Sequence, residues 1–153
     1  MKNLVLSAVI AAAGVAAWRW QRAPEVSDGN LVTDRLWLDH IPRTQREVVN
    51  GLVMLSDESL GVFNASSRWR GQYELFGFEQ KGNELRLVFP QTGDRDTVKV
   101  RATRCNQGGF DFCMELDGSS RGVKRYFSQK GWEIGRLDDE KALLDKIEAQ
   151  AAR

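Results

Sequence analysis

Between Asn83 and Cys105 the chain reads NELRLVFPQTGDRDTVKVRATRC, with apolar residues at every second position of its two halves. A strand turns successive side chains to opposite faces, so this spacing gives half-buried antiparallel strands. Leu85, Leu87 and Phe89 share one face, and Val98, Val100 and Ala102 share one face of the next strand. With Gly93-Asp94 as a two-residue turn, Phe89 lies opposite Val98, Leu87 opposite Val100 and Leu85 opposite Ala102. A glycine at the first central position suits a type II′ turn. A slip of one residue would turn one strand's apolar set outward, so the facing is specified.

The hairpin before it closes about Gly82-Asn83. Phe78 then faces Leu87, Phe76 faces Phe89, and the outer side pairs Glu79 with Arg86 and Lys81 with Glu84. Apolar parity changes between Leu75 and Phe76, which predicts a β-bulge. In FDFCMELD, Phe110, Phe112, Met114 and Leu116 point inward, leaving Asp111, Cys113, Glu115 and Asp117 outside. Setting Arg101 against Glu115 and Lys99 against Asp117 leaves a five-residue loop from Asn106 to Phe110. Cys105 and Cys113 are then diagonal neighbours on the outer face, too far apart for a disulfide unless a bulge or shift in register brings them together. A staple and two unpaired thiols both remain open.

Further strands are expected in DRLWLDHI, LVMLSD, LGVFNA, GVKRYFSQ and GWEI, with Ser56–Ser59 as a hairpin turn. Thr44 and Glu47 form a capping box before Gly51, predicting a short helix over residues 44–50. Asp138, an acidic first turn and the stripe Leu143, Leu144 and Ile147 predict an amphipathic C-terminal helix over 138–151. The fold class is therefore mainly all-β: an antiparallel meander of about eight strands, its edges removed by closure into a barrel. An open sheet around the helix, or a sandwich, fits the same pattern.

In outline, residues Leu31 to Ala151 resemble the lipocalin and calycin group, whose meander barrels carry a helix on the outside. Arg35-Leu36-Trp37 stands where that group's Gly-x-Trp would be sought. The resemblance implies a secreted or envelope-bound carrier or sensor holding a small apolar ligand inside the barrel. Its pocket candidates are the inward residues Phe76, Phe78, Leu87, Phe89, Phe112 and Met114.

The N-terminus, MKNLVLSAVIAAAGVAAWRWQR, has a basic start, an apolar run and small residues at Val15-Ala16-Ala17. It reads as a signal peptide or a membrane anchor over residues 1–22: Arg19 and Arg22 disfavour cleavage, and Trp18 and Trp20 suit an interface. A linker over 23–30 precedes a single domain over 31–153. This places the domain outside the cytoplasm, periplasmic or secreted, or anchored in the cytoplasmic membrane. A net charge of +1, with acids and bases interspersed, argues against nucleic acid as a partner. Two cysteines and one histidine are too few for a structural zinc site without carboxylates, so no metal or cofactor is expected.

No catalytic residue is assigned. Asp39 and His40, adjacent on a strand, would point to opposite faces and could not work as a triad pair. Asn64-Ala65-Ser66 is a glycosylation triplet. The stretch from Arg121 to Arg136 groups Arg121, Lys124, Arg125 and Lys130 with Tyr126 and Trp132, a basic-aromatic face for an anionic headgroup or an envelope protein partner. Trp69, between Arg68 and Arg70, would extend it. Two functions follow: a non-catalytic carrier of a small apolar ligand, or an interaction module of a cell-envelope assembly. A hydrolase stands further off.

Overall fold

The computed structural model describes residues 28–151; the N-terminal apolar segment and residues 23–27 of the expected linker lie outside the described residues. Eight strands follow one another around a closed antiparallel barrel: β1 (Leu36–Leu38), β2 (Val49–Leu55), β3 (Leu60–Ser67), β4 (Arg70–Lys81), β5 (Glu84–Val88), β6 (Arg95–Gln107), β7 (Phe110–Asp117) and β8 (Arg125–Ser128). Leu38 pairs with Phe127 to close the ring. One helix, α1 (Leu137–Ala151), lies on the outside. No helix among the described residues is long and apolar enough to cross a membrane.

Alternation makes two apolar layers. The interior holds Trp37, Leu52, Phe63, Phe76, Leu85, Leu87, Phe89, Val98, Val100, Phe112, Met114 and Tyr126. Each buried Leu or Phe contributes about 1.5–3 kcal/mol relative to exposure. The second layer lies outside the wall. There Leu36, Leu38, Val53, Val62 and Phe110 are covered by Trp132 and Ile134 and by Ile147 of α1. Before β1, a 3-10 turn over Gly29–Leu31 folds back on the barrel: Asp28 N–H donates to the Ala102 carbonyl at 2.9 Å, and Val32 is fully buried in the interior. Trp37 is fixed by its indole N–H, which donates to the Val32 carbonyl at 3.0 Å.

The β4–β5 hairpin has the expected register, with Phe78 opposite Leu87, Glu79 opposite Arg86 and Lys81 opposite Glu84. The next hairpin differs. Leu85 pairs with Val98 and Leu87 with Asp96, four residues away from the expected pairing, so Phe89 is not opposite Val98. The ladder stops at Val88 because Pro90 follows and has no N–H to give. Residues 89–94 form a loop closed by Gly93 N–H on the Phe89 carbonyl at 2.8 Å. A slip of four keeps parity, so the same apolar residues still face inward.

Other expectations are corrected. Residues 44–50 are not a helix: Glu47 N–H reaches the Thr44 carbonyl in a single turn, and Val49 and Asn50 pair with Ser66 and Ala65 in β2. Two adjacent valines favour that ladder over a helix. The β3–β4 ladder runs unbroken from Leu60–Gly77 to Ser67–Arg70, so there is no bulge at Leu75. GWEI forms only a bridge, Glu133 to Arg35. The five-residue loop after Cys105 is a two-residue turn, Gly108-Gly109, with φ of 62° and 86°, the left-handed pair a type I′ turn needs. Phe110 belongs to the outer layer, with its ring 5.0 Å from Phe127 and 6.1 Å from Trp132.

Candidate functional site

The pocket candidates lie against one another inside the barrel. Phe76, Phe89 and Met114 are fully buried, and Leu87 and Phe112 are at most 5% exposed. Phe78 is half-buried against the same cluster. Phe76 is the hub, with ring centroids 4.9 Å from Phe63, 5.8 Å from Phe89 and 6.4 Å from Phe78. These side chains pack against one another inside the barrel.

One end of the barrel is closed by polar ties. Glu74 and Asp96, at inward positions of β4 and β6, hold the loop between β7 and β8. Arg121 Nε donates to both Glu74 oxygens at 3.1 and 3.0 Å, and its Nη2 donates to Asp94 at 2.7 Å. Ser120 donates from backbone and hydroxyl to Asp96, both at 2.7 Å. The Arg121 guanidinium lies 4.9 Å from the centre of the Phe89 ring. Hydrogen bonds from Arg121 and Thr92 hold the Asp94 carboxyl below its ordinary value.

This placement corrects the expected basic-aromatic face. Tyr126 is fully buried, its hydroxyl oxygen accepting from Val123 N–H at 2.9 Å, and burial pushes its pKa up to about 12. Trp132 is buried in the outer layer. Arg125 pairs with Glu115 at 3.0 Å, and Lys124 lies 3.7 Å from Asp117. Lys130 is exposed, its backbone N–H donating to Asp111. Of that stretch the surface receives charges, largely paired, and not these two aromatics.

Cys105 and Cys113 form a disulfide with Cα atoms 5.7 Å apart. A bulge makes it: between Arg104–Phe112 and Gln107–Phe110, Cys105 and Asn106 together oppose Asp111.

His40 is also placed differently from expectation. It follows β1 in a bend, so adjacent side chains need not diverge, and its Nδ1 lies 2.7 Å from Asp39 Oδ1. Its Nε2 is 3.2 Å from Glu47 Oε1 without hydrogen-bond alignment. The adjoining cleft is lined by Ile41, Arg43, Gly108 and Phe110 together with His40 and Glu47, a set with no serine or cysteine to act as nucleophile. Asn64 of the glycosylation triplet is only 3% exposed.

The conspicuous surface feature is elsewhere. The β3–β4 hairpin turns on Arg68-Trp69, where Trp69 is 71% exposed, and Tyr73 beside it on β4 is 62% exposed. The Arg68 guanidinium sits 5.7 Å from the Trp69 ring centre. Tyr73 reclines along its strand: a Cβ on Gly71 would lie 2.9 Å from its ring. The Tyr73 ring edge thus lies close over Gly71, and the side chain is largely exposed.

Between this hairpin and α1 runs an open cleft of about 970 Å³. Arg68, Trp69, Arg70 and Tyr73 form one wall; Asp138, Lys141, Leu144 and Asp145 of α1 form the other. Glu140 also reaches the cleft, though it is only 6% exposed. Its Oε1 accepts from Asn64 Nδ2 at 3.2 Å, and burial raises its pKa despite that bond. The Asn64 Oδ1 has no hydrogen-bond partner among the described residues.

The sequence held one signal for this surface. Tyr73 and Leu75 have the wrong parity for the interior, and an unbroken ladder requires them to face outward, as does Val88 across the sheet. The contribution of α1 to the second wall is set by docking and has no local signature. No group of three or more metal-ligating side chains occurs among the described residues. The site thus belongs to a closed eight-stranded barrel with an aromatic hairpin tip beside an outer helix. Comparison with known proteins finds no matching family model, curated protein or solved structure.

Proposed function

We propose that this chain is a non-catalytic interaction module of a cell-envelope assembly. Its N-terminal segment holds it at or beyond the cytoplasmic membrane, and the hairpin tip at Trp69 and Tyr73 engages the partner. The observation that carries this reading is the contrast between inward aromatics packed on one another and aromatics left outside. A lipocalin-like carrier needs a cavity for its ligand, whereas the large inward side chains here pack on each other. Tryptophan, tyrosine and arginine are the residues most enriched where partner proteins bind strongly.

The hairpin tip adds support. The other two-residue turns use Gly82-Asn83 and Gly108-Gly109, while this one uses Arg68-Trp69. Two-residue hairpin loops favour residues that tolerate positive φ. Neither Arg68 nor Trp69 has a positive φ, so this turn makes no demand for Gly or Asn and leaves its tip open to large side chains.

The test has two arms. Native mass spectrometry of the purified chain is expected to show the bare polypeptide mass. A photo-crosslinker at position 69 is expected to capture one defined partner from envelope fractions, with the adduct lost in Tyr73→Ala. A stoichiometric apolar ligand retained in the barrel, with no position-69 adduct, would replace this reading with the carrier.

A further inference from the structure

We infer that two copies of this chain join edge to edge along β4, as a two-fold antiparallel pair in which Gly71 of each copy lies opposite Tyr73 of the other. This rests on the interaction-module reading and names the partner of that site as a second copy of the chain.

Barrel closure leaves part of β4 without a neighbour. β3 pairs with β4 from Ser67–Arg70 to Leu60–Gly77, whereas β5 reaches only from Lys81 to Gly77. Residues 70–76 therefore have a strand on one side alone, and a free edge is what an added strand needs. Within β4 the even-numbered residues bond toward β3, as Phe78 N–H does on the Ser59 carbonyl at 2.9 Å. The odd-numbered residues then aim their backbone groups at the open side. Leu75 is capped there: the Gln91 amide, turned to satisfy both groups, donates to its carbonyl at 2.9 Å and accepts from its N–H at 3.3 Å. Gly71 and Tyr73 are exposed and have no such cap among the described residues. The ladder beside them has no bulge, and neither proline nor lysine stands in the stretch, so the usual guards of a free edge are missing. Five large apolar side chains are exposed among the described residues, and four of them, Trp69, Tyr73, Leu75 and Val88, stand on or next to this stretch.

The sequence of this edge is its own complement. Laid antiparallel about Gln72, WRGQYEL sets Gly71 opposite Tyr73, Arg70 opposite Glu74 and Trp69 opposite Leu75. A two-fold contact requires this property, since residue i meets j and j meets i. Both Gly71–Tyr73 pairs then exchange N–H···O bonds through the backbone groups that face the open side, and the Gln91 cap on Leu75 stays in place. Each Tyr73 gains a glycine across the seam, a pairing that covers the backbone an edge glycine exposes. Arg70 makes no ion pair among the described residues. It meets Glu74, which Arg121 holds through Nε and whose carboxylate has lone pairs left to accept. A register two residues away pairs Tyr73 with itself or Gly71 with itself, and separates Arg70 from Glu74. Seven residues a side is small beside the roughly 20–30 of a standard interface, so the pairing depends on concentration. Anchoring of both copies at one membrane would favour it.

A benzophenone side chain at position 69 of the purified full chain, in an equal mixture of heavy-isotope-labelled and unlabelled copies, tests this. Irradiation is expected to give a covalent dimer whose mixed-isotope peptide links position 69 to the stretch around Leu75. Sedimentation of the unmodified chain should show a reversible monomer–dimer equilibrium. Tyr73→Pro removes the ring and an N–H on the open side while leaving the β3 ladder its bonds, and Arg70→Glu sets like charges across the seam. Each should weaken association about tenfold or more, while Lys130→Glu leaves it unchanged. Near-ultraviolet circular dichroism confirms the fold of each variant, and Arg70→Glu carries the test if the proline variant does not fold. A chain that stays monomeric, a crosslink from position 69 to some other part of the second copy, or a dimer unchanged in folded Arg70→Glu would each overturn the inference. If position 69 captures a different protein from envelope fractions while the purified chain stays monomeric, the interaction module stands and the self-pairing falls. A retained apolar ligand with no adduct at position 69 removes both.

Discussion

Gly61 and Phe76 face each other across the β3–β4 ladder, and the Phe76 ring occupies the space a Cβ on Gly61 would take. The ring folds over the glycine backbone, and with it Phe76 reaches Phe63 and Phe89. This contact sets how the aromatic interior packs.

Gly61→Ala should therefore destabilise the barrel by about 1–3 kcal/mol, the usual cost of overpacking a tight core. The second change Phe76→Leu, in the same chain, should recover part of that loss, because the smaller side chain vacates the contested space. Urea unfolding of both single variants and the double variant gives the coupling. Simple additivity would show that the ring does not depend on the missing Cβ.

Removing the Cys105–Cys113 disulfide should lower stability by about 2–3 kcal/mol, the chain-entropy value for so short a loop. The bulge at Cys105 and Asn106 leaves the rest of the β6–β7 register intact. The double Cys→Ser chain should accordingly fold to the same near-ultraviolet spectrum with a lower urea midpoint. An unchanged midpoint under reducing conditions would contradict this.

Glu140 gives a pH dependence of defined sign. Burial raises its folded pKa above the ordinary glutamate value. Its protonated form is thus favoured in the folded state, and its contribution to stability is full below the unfolded pKa. That contribution falls as pH rises through the folded one. Glu140→Gln removes the titration, and its amide offers a donor to the unpartnered Asn64 Oδ1. The variant should gain about 1 kcal/mol at pH 7 and lose this component of the pH profile, read by thermal unfolding from pH 4 to 8.

The Arg121 ties have the opposite sign. Asp94 has a lowered pKa in the fold, so its pairing with Arg121 stabilises above the ordinary aspartate value and fades as pH falls through the lowered one. Arg121→Met should have a lower thermal midpoint than the parent chain at pH 7. That gap should narrow on acidification toward pH 3. A gap constant with pH would mean that the guanidinium acts only by packing on Phe89.

The site was less legible in the sequence than the fold. Trp69 between two arginines is visible, but the parity of Tyr73 and Leu75 predicts a bulge, since apolar side chains ordinarily belong to a core. Tyr126 and Trp132 suggested a surface because basic residues surround them, yet each is buried. Charge spacing along a strand reports which residues stand outside and leaves the depth of their neighbours open.

Sequence alone determined which side chains of β5, β6 and the body of β7 face the interior, because a strand's period of two sorts residues by parity whatever the partner. It also determined the Gly82-Asn83 turn and the C-terminal helix, whose signals lie within a few residues of each other. Tertiary structure alone decided the four-residue offset between β5 and β6, the bulge that joins Cys105 to Cys113, and the meeting of α1 with the Trp69 hairpin. Parity is blind to any even slip, and a contact between distant segments depends on how the barrel closes and where its outer face is covered.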